Sequence, residues 1–281
     1  WGQYDASHAA HEREMERVDG VAILGFRSQL LDANIPNELV ADFVSKSPDR
    51  RFGIAGIDPM ADDAMHQLDS AIHMGMVGIT VSPACQGFHP SHSQACRIYE
   101  RCVDAGLPII VDMDHPLTPS TRLEFARPAL WDEVARDFPT LPIVISQLGH
   151  PWIDETLLLL TKHEALFADL SGVVSRPWQL FNALLNATSF GVMDKLLFGS
   201  GFPRELPTKA IESLYSVNSF GQGTPLPSVP RSRISAIVER NPLPLLGIDV
   251  GIVPLRPADD EVFDDTEGAG TPAYSEGPTT S

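Results

Sequence analysis

Residues 107–116 read LPIIVDMDHP, residues 141–152 read LPIVISQLGHPW and residues 166–172 read LFADLSG. Each stretch holds a short apolar run without strict alternation, which is typical of a strand covered on both faces of a parallel sheet. The segments between them have the spacing of amphipathic helices. Alternating buried strands and helices predict a parallel sheet with right-handed crossovers.

The same alternation continues on both sides of this central region. The predicted strands are Val21–Phe26, Phe52–Ile57, Val77–Val81, Ile109–Val111, Ile143–Ile145, Leu166–Leu170 and Leu196–Phe198. The predicted helices are Ser7–Val18, Asn37–Ser45, Ala61–Met74, Ser93–Ala105, Arg127–Asp137, Ile153–Lys162 and Pro177–Ala187, with Asp62 or Asp63 capping the third and Ser93 the fourth. This number of strands in roughly 250 residues predicts a (β/α)₈ barrel of the TIM type rather than a doubly wound sheet.

The first strand of that barrel is the doubtful one. A closed barrel needs one strand more than the predicted set, and it should precede the helix at Ser7–Val18, where only residues 1–6 remain. Residue 1 is Trp rather than Met. We therefore expect either a processed chain or a missing natural beginning. The unpaired edges would then be covered by the apolar segment Ile248–Leu255 or by self-association.

Composition and charge bound the function. The chain has 281 residues with 37 acids against 20 bases, a net charge of −17, which argues against nucleic-acid binding. No apolar run approaches ~18 residues, so no membrane span is predicted. The odd number of cysteines, three, fits a reducing, cytoplasmic compartment. Residues 1–256 are predicted as the barrel domain and residues 257–281, which hold acids and no base, as a disordered tail.

Further motifs accompany the central stretches. FGIAGIDP spans residues 52–59, VGITVSPACQGFHP residues 77–90, DKLLFGSGFP residues 194–203 and IVERNPLPLLG residues 237–247. Together with GHPW and ADLSG, they make the chain similar to the amidohydrolase-related proteins, the amidohydrolase family 2 group. That group includes metal-dependent hydrolases and ring-substrate decarboxylases. The resemblance runs from about Val18 to Gly247.

The resemblance implies a divalent-metal site at the carboxyl ends of the barrel strands. Family members use His-x-His on the first strand, one His each on the fifth and sixth strands, and an Asp on the eighth. Imidazoles and a carboxylate hold the ion with an open position, where it activates a water or polarises a carbonyl. The strand-eight Asp usually also acts as the base for that water.

This sequence departs from the family pattern at each ligand position. No His-x-His occurs, Asp112 stands where the fifth strand normally ends in His, Gln147 replaces the His of His-Leu-Gly, and Gly201 replaces the Asp of Phe-Gly-Ser-Asp. We therefore predict that the metal has been lost and that no cofactor is bound. The chain would then be a metal-free inactive or regulatory homologue, with an active paralogue or a second copy as partner, or a small-molecule binder.

An alternative is a working hydrolase or decarboxylase with a rebuilt site. Asp112 and Asp114 are two residues apart, so on a strand both would face the same side. With His115 and His150 they could line the old pocket and bind Zn²⁺ or Mn²⁺. In the competing interpretation, Asp112 occupies a vestigial position and Asp114 caps a turn. Gly201 offers no side chain as a base.

Several other residues have two interpretations each. His150 either anchors the loop after the sixth strand or takes part in catalysis. Asp169 either accepts hydrogen bonds from loop backbone or faces a ligand. Cys85, in a loop after a predicted strand, is a candidate nucleophile. His8 and His11 are expected to face solvent on a charged helix.

Overall fold

The computed structural model describes residues 4–113 and 118–249. Its strands are β1 (Val21–Leu24), β2 (Phe26–Ser28), β3 (Ala33–Ile35), β4 (Arg51–Gly56), β5 (Gly78–Val81), β6 (Ile109–Val111), β7 (Ile143–Ile145), β8 (Leu166–Asp169) and β9 (Leu196–Leu197). Its helices are α1 (His8–Glu14), α2 (Asn37–Ser45), α3 (Ala64–His73), α4 (Pro83–Gln86), α5 (Ser93–Ala105), α6 (Trp131–Asp137), α7 (Ile153–Lys162), α8 (Pro177–Phe190), α9 (Pro207–Tyr215) and α10 (Arg231–Glu239).

One curved parallel sheet carries the fold. Its strand order is β1-β4-β5-β6-β7-β8-β9, and every neighbouring pair is parallel. All the strands that the sequence predicts take part, so the predicted α/β, TIM-barrel-like class is confirmed. Within the described residues, β1 and β9 lie at the two ends of the sheet and do not pair with each other. The domain boundary predicted after residue 256 lies outside the described residues, as does the tail.

An antiparallel hairpin interrupts the pattern after β1. The strand predicted to reach Phe26 ends at Leu24, and β2 pairs with β3 instead. Gly25 makes the break possible, because its N–H donates to the Ile54 carbonyl at 2.7 Å and a Cβ there would lie 2.6 Å from the Gly56 nitrogen. Only glycine allows the two backbones to approach this closely.

The two predicted helix caps differ from the structure. His92, rather than Ser93, caps α5: its ring accepts the N–H of Gln94 at 3.3 Å, and Ser93 is the first helical residue. Asp63 does precede α3, but its side chain accepts no capping hydrogen bond. Its carboxylate pairs instead with Arg27 in the hairpin at 3.0 Å. A cation within reach competes with backbone N–H groups for the same carboxylate oxygens.

The sheet separates two cores. The helices pack on the outer face, and a smaller group of apolar side chains, named here the inner cluster, fills the opposite face. Its buried members are Val144, Phe167, Leu197, Leu243, Leu246 and Ile248. The last three come from the segment around the 3₁₀ turn Leu243–Leu246, which covers the inner face. Phe52 and Val77, near the beginnings of their strands, also contact the cluster, so the opposite, carboxyl end remains for a site.

Helix α1 bridges the two ends of the sheet. The His11 ring packs edge-on against Phe43 of α2 at 5.0 Å and against Phe202, which follows β9, at 5.6 Å. The expectation that His11 faces solvent is therefore wrong: it is 7% exposed, whereas His8 is exposed and lies 3.8 Å from Glu12. Two aromatic rings outweigh the polarity of a neutral imidazole at this position. Burial lowers the pKa of His11 to about 4.

Among the described residues, no helix combines the length and the apolar character needed to cross a membrane.

Candidate functional site

Three polar side chains converge at the carboxyl ends of neighbouring strands. Asp112 follows β6, Ser146 follows β7 and Asp169 is the last residue of β8. Each lies two residues beyond a side chain that contacts or belongs to the inner cluster, so all three point to the inner side of the sheet. They form the upper layer above the apolar inner cluster, where ligands of barrel enzymes bind.

Asp169 ties two loops together. Its Oδ1 accepts hydrogen bonds from the backbone N–H of Ser171 at 2.8 Å and of Gln147 at 3.2 Å, and also from the Ser171 hydroxyl. Burial raises the pKa of this carboxyl, and the hydrogen bonds from Ser171 and Gln147 oppose the rise. The carboxylate therefore fixes the loop after β7 relative to the loop after β8.

Asp112 is the most strongly perturbed acid of the site. Its backbone N–H donates to the Val81 carbonyl at 2.8 Å, and its own carbonyl accepts the Ser82 hydroxyl at 3.1 Å, which fixes its position. Burial raises the pKa of Asp112 to about 7; the positive charge of Arg204 opposes this rise, and the negative charge of Asp169 adds to it. The carboxyl thus exchanges a proton near neutral pH.

Gln147 lies against a neighbouring loop. Its backbone is left-handed, with φ at 53°, and its side chain packs over Gly172, where a Cβ would be 2.6 Å from Oε1. Gly172 itself has φ at 69°, so glycine is required there for two reasons. Gln147, at the position of the family's sixth-strand histidine, therefore packs its side chain against the loop after β8.

His150 faces the same loop from the other side. Its Nε2 lies 3.5 Å from a guanidinium nitrogen of Arg176, whose Nε donates to the Gly172 carbonyl at 3.3 Å. Burial, and then the charge of Arg176, lower the pKa of His150. A neutral imidazole next to an arginine links the loops that precede α7 and α8.

The loop after β9 supplies a cation where the family has an acid. Gly201 has φ at 72°, and its carbonyl accepts the backbone N–H of Arg204 at 3.1 Å. The Arg204 charge reaches Asp112. Sequence reasoning missed Arg204 and Ser146, although Ser146 lies within a quoted motif and Arg204 directly follows one. The signal was a basic residue immediately after FGSGFP.

Cys85 does not have the surroundings of a nucleophile. Its side chain is buried, and burial raises the pKa of its thiol. The Ser28 hydroxyl donates to the Cys85 carbonyl at 2.7 Å, which holds the loop against the hairpin. A buried thiol with a raised pKa behaves as a small apolar side chain.

The structure, over residues 4–113 and 118–249, contains no group of three or more His, Cys, Asp or Glu side chains placed to hold an ion. The positive charge of Arg204 acts on Asp112, and Asp169 accepts hydrogen bonds from two loops. Asp114 and His115, from the predicted rebuilt site, lie outside the described residues.

The fold and this upper layer of strand-end side chains define an α/β barrel-like protein of the amidohydrolase type. The amidohydrolase family model matches residues 3–248, and the chain belongs to that family. No curated protein sequence matches the chain. The similarity is thus established by the family model and by fold.

Several solved structures share the fold. An uncharacterised TIM-barrel protein from Bordetella bronchiseptica is 22% identical with a TM-score of 0.69, covering 85% of this chain and 82% of its own. A 2,6-dihydroxybenzoate decarboxylase from Rhizobium is 17% identical with a TM-score of 0.60, covering 85% and 88%. A probable 2-pyrone-4,6-dicarboxylic acid hydrolase from Acinetobacter baumannii, with citric acid bound, is 16% identical with a TM-score of 0.59, covering 88% and 91%.

Proposed function

We propose that this amidohydrolase-family barrel works without the family's divalent metal and binds a small carboxylate at the carboxyl ends of its strands. The observation that carries the proposal is the loop after β9. It offers Gly201 where the family has an aspartate, and the positive charge of Arg204 acts on Asp112. A cation at this point repels a divalent metal and attracts an anion.

The ligand class follows from the two arginines and from the relatives. Arg204 follows β9 and Arg176 precedes α8, so both lie at the carboxyl side of the sheet. A guanidinium group matches a carboxylate with two parallel hydrogen bonds. The similar structures hold such molecules: a dihydroxybenzoate in one decarboxylase and citric acid in the probable hydrolase. On a chain of net charge −17, positive side chains at the site are needed to favour an anion.

The proposed barrel has no turnover of its own. Gly201 has no carboxylate to accept a proton from water, and Asp169 is bonded to loop backbone. A barrel of this kind can regulate an active paralogue or associate with a second copy. The ends of the sheet at β1 and β9, which are not paired with each other in the described residues, support such a contact.

A second candidate is an active hydrolase or decarboxylase built on Asp112, Asp114, His115 and His150 with Zn²⁺ or Mn²⁺. The pKa of Asp112, raised to about 7, favours it, because a general acid or base works best when its pKa lies near the working pH. In this case Asp112→Ala would remove the metal and the activity together.

We also propose that the protein resides in a reducing compartment. Cys85, Cys96 and Cys102 form no disulfide bond with one another in the structure. Three cysteines without a disulfide support a reducing location such as the cytoplasm.

Binding of 2,6-dihydroxybenzoate, measured by calorimetry on the full chain, tests the proposal. We expect saturable binding that weakens by about tenfold or more in Arg204→Ala, because a charge-assisted pair contributes ~1.5–3 kcal/mol. Arg231→Ala is the matched control, since Arg231 begins α10 and is exposed. Equal affinity in Arg204→Ala and in the control would contradict the proposed site.

A further inference from the structure

A groove lies between the first turn of α7 and the first three turns of α8, outside the upper layer of strand-end side chains. Its volume is about 450 Å³, within the range of small-molecule sites. Helix α7 begins right after Trp152, and Trp178 is the second residue of α8. Its lining includes Trp152, Trp178, Asp154, Gln179, Asn182 and Asn186.

An exposed but fixed tryptophan forms one wall of the groove. Trp178 is 56% exposed, and among the large apolar side chains of the described residues only Leu39 and Leu158 are more exposed. Its ring packs against Phe181 at 6.4 Å and Phe220 at 6.3 Å, so its orientation is set before any ligand arrives. An indole held in place while exposed offers a flat apolar surface at low cost in side-chain entropy.

A row of side-chain amides follows Trp178 along α8. Gln179, Asn182 and Asn186 are spaced three and four residues apart, so the helix places them on one face. Asn186 Nδ2 donates to Asp154 Oδ1 at 3.3 Å across the groove, which joins the two helices. Each amide offers both a donor and an acceptor, the pattern that hydroxyl groups need.

The charges around the groove exclude an anion and do not favour a cation. The lining includes Asp154 and Glu155 but no lysine or arginine. Glu155 already pairs with Arg127 and accepts the Ala129 N–H at 3.2 Å, so its charge is compensated. The Arg127 guanidinium lies 5.4 Å from the centre of the Trp152 ring, which occupies one face of that indole. A second cation would meet this positive charge.

From these features we propose that the groove binds a neutral saccharide. One face of the sugar ring, with its C–H groups, would stack on Trp178, while its hydroxyls would bond to the amides of Gln179, Asn182 and Asn186. Neutral polyhydroxylated rings combine an apolar face with many donors and acceptors, which is the combination the two walls present. The site is separate from the strand-end site and does not rest on the function proposed there.

Saturation-transfer NMR and calorimetry of the full chain with cellobiose, maltose and tetramethylammonium test the proposal. We expect one of the two disaccharides to bind and its affinity to fall about tenfold or more in Trp178→Ala, because aromatic stacking is lost. Phe190→Ala is the matched control, since Phe190 is an exposed aromatic at the other end of α8. The control should keep the wild-type affinity.

Four results would overturn the proposal. The first is that neither disaccharide binds saturably, and the second is that Trp178→Ala binds as well as wild type. The third is that tetramethylammonium binds and the sugars do not. The fourth is that wild type sediments as a dimer and Trp178→Ala as a monomer. The last would mean that the groove is a contact between copies of this chain. Circular dichroism and thermal unfolding of each variant establish that a lost signal does not come from a lost fold.

Discussion

Replacing Asp112 with Asn should stabilise the protein at neutral and alkaline pH but not in acid. Burial raises the pKa of this carboxyl to about 7 from its ordinary 3.8, so the folded state holds the proton more tightly than the unfolded state does. The folded protein therefore loses stability as the pH rises from about 4 to about 7, and the loss is complete above that range. An asparagine side chain does not ionise, and the variant avoids this loss.

The magnitude follows from the difference in proton affinity. Each tenfold change in proton affinity corresponds to ~1.4 kcal/mol. A rise in the pKa of Asp112 from 3.8 to about 7 therefore sets an upper limit of ~4 kcal/mol on the loss of stability. Asp112 is neither fully buried nor fully exposed. We therefore expect about half of the limit, ~2 kcal/mol, because water screens the charge.

Urea unfolding at about pH 4.5 and about pH 8 measures this effect. The expected result is that the advantage of Asp112→Asn over wild type grows by ~1.5 kcal/mol between the two values, because part of the ~2 kcal/mol loss already occurs below about pH 4.5. Asp104→Asn, which removes an exposed carboxylate from α5, is the control for loss of one charge. An advantage that is the same at both pH values would refute the account of Asp112 as a buried acid.

Three further outcomes are expected from the fold. Burial lowers the pKa of His11 to about 4 from 6.5, so as the pH falls the unfolded state takes up a proton before the folded state does. The free energy of unfolding of wild type, measured with urea, should therefore fall by ~2 kcal/mol relative to His11→Phe between about pH 7 and pH 5. No such fall would contradict the buried imidazole. Leu243→Ala should cost about 2–5 kcal/mol by the same assay, since Leu243 is 2% exposed in the inner cluster, and a cost near zero would contradict that packing. Gly172→Ala should cost about 1–3 kcal/mol, part of it recovered by adding Gln147→Ala; strictly additive costs would contradict their contact.

The sheet could be predicted because its signal is local. Each strand is a compact run of branched apolar residues between helical segments, as at Ile109–Val111, and buried parallel strands require that composition. The hairpin of β2 and β3 was not predicted, because each strand has only three residues, too few to show a periodic pattern. Its position depends on Gly25 and Gly56 meeting across the sheet.

The candidate site could be predicted only in part. Asp112 and Asp169 follow apolar runs, and parallel topology brings such ends together, so their placement was open to prediction. The role of Arg204 could not be predicted, because the direction of its side chain depends on the conformation of the loop after β9. His11 was placed wrongly for a related reason. The charged residues around His11 in the sequence predict an exposed side chain. Only the structure shows that Phe43 and Phe202 pack against its ring and bury it.

The metal content of the purified chain tests the central claim most directly. The protein, incubated with excess Zn²⁺ or Mn²⁺ and then freed of unbound metal, is analysed by inductively coupled plasma mass spectrometry. We expect a substoichiometric content that is the same in wild type and in Asp112→Ala, because Gln147 and Gly201 cannot replace the family's ligands. One equivalent of metal in wild type, lost in Asp112→Ala together with a hydrolase or decarboxylase activity, would contradict it.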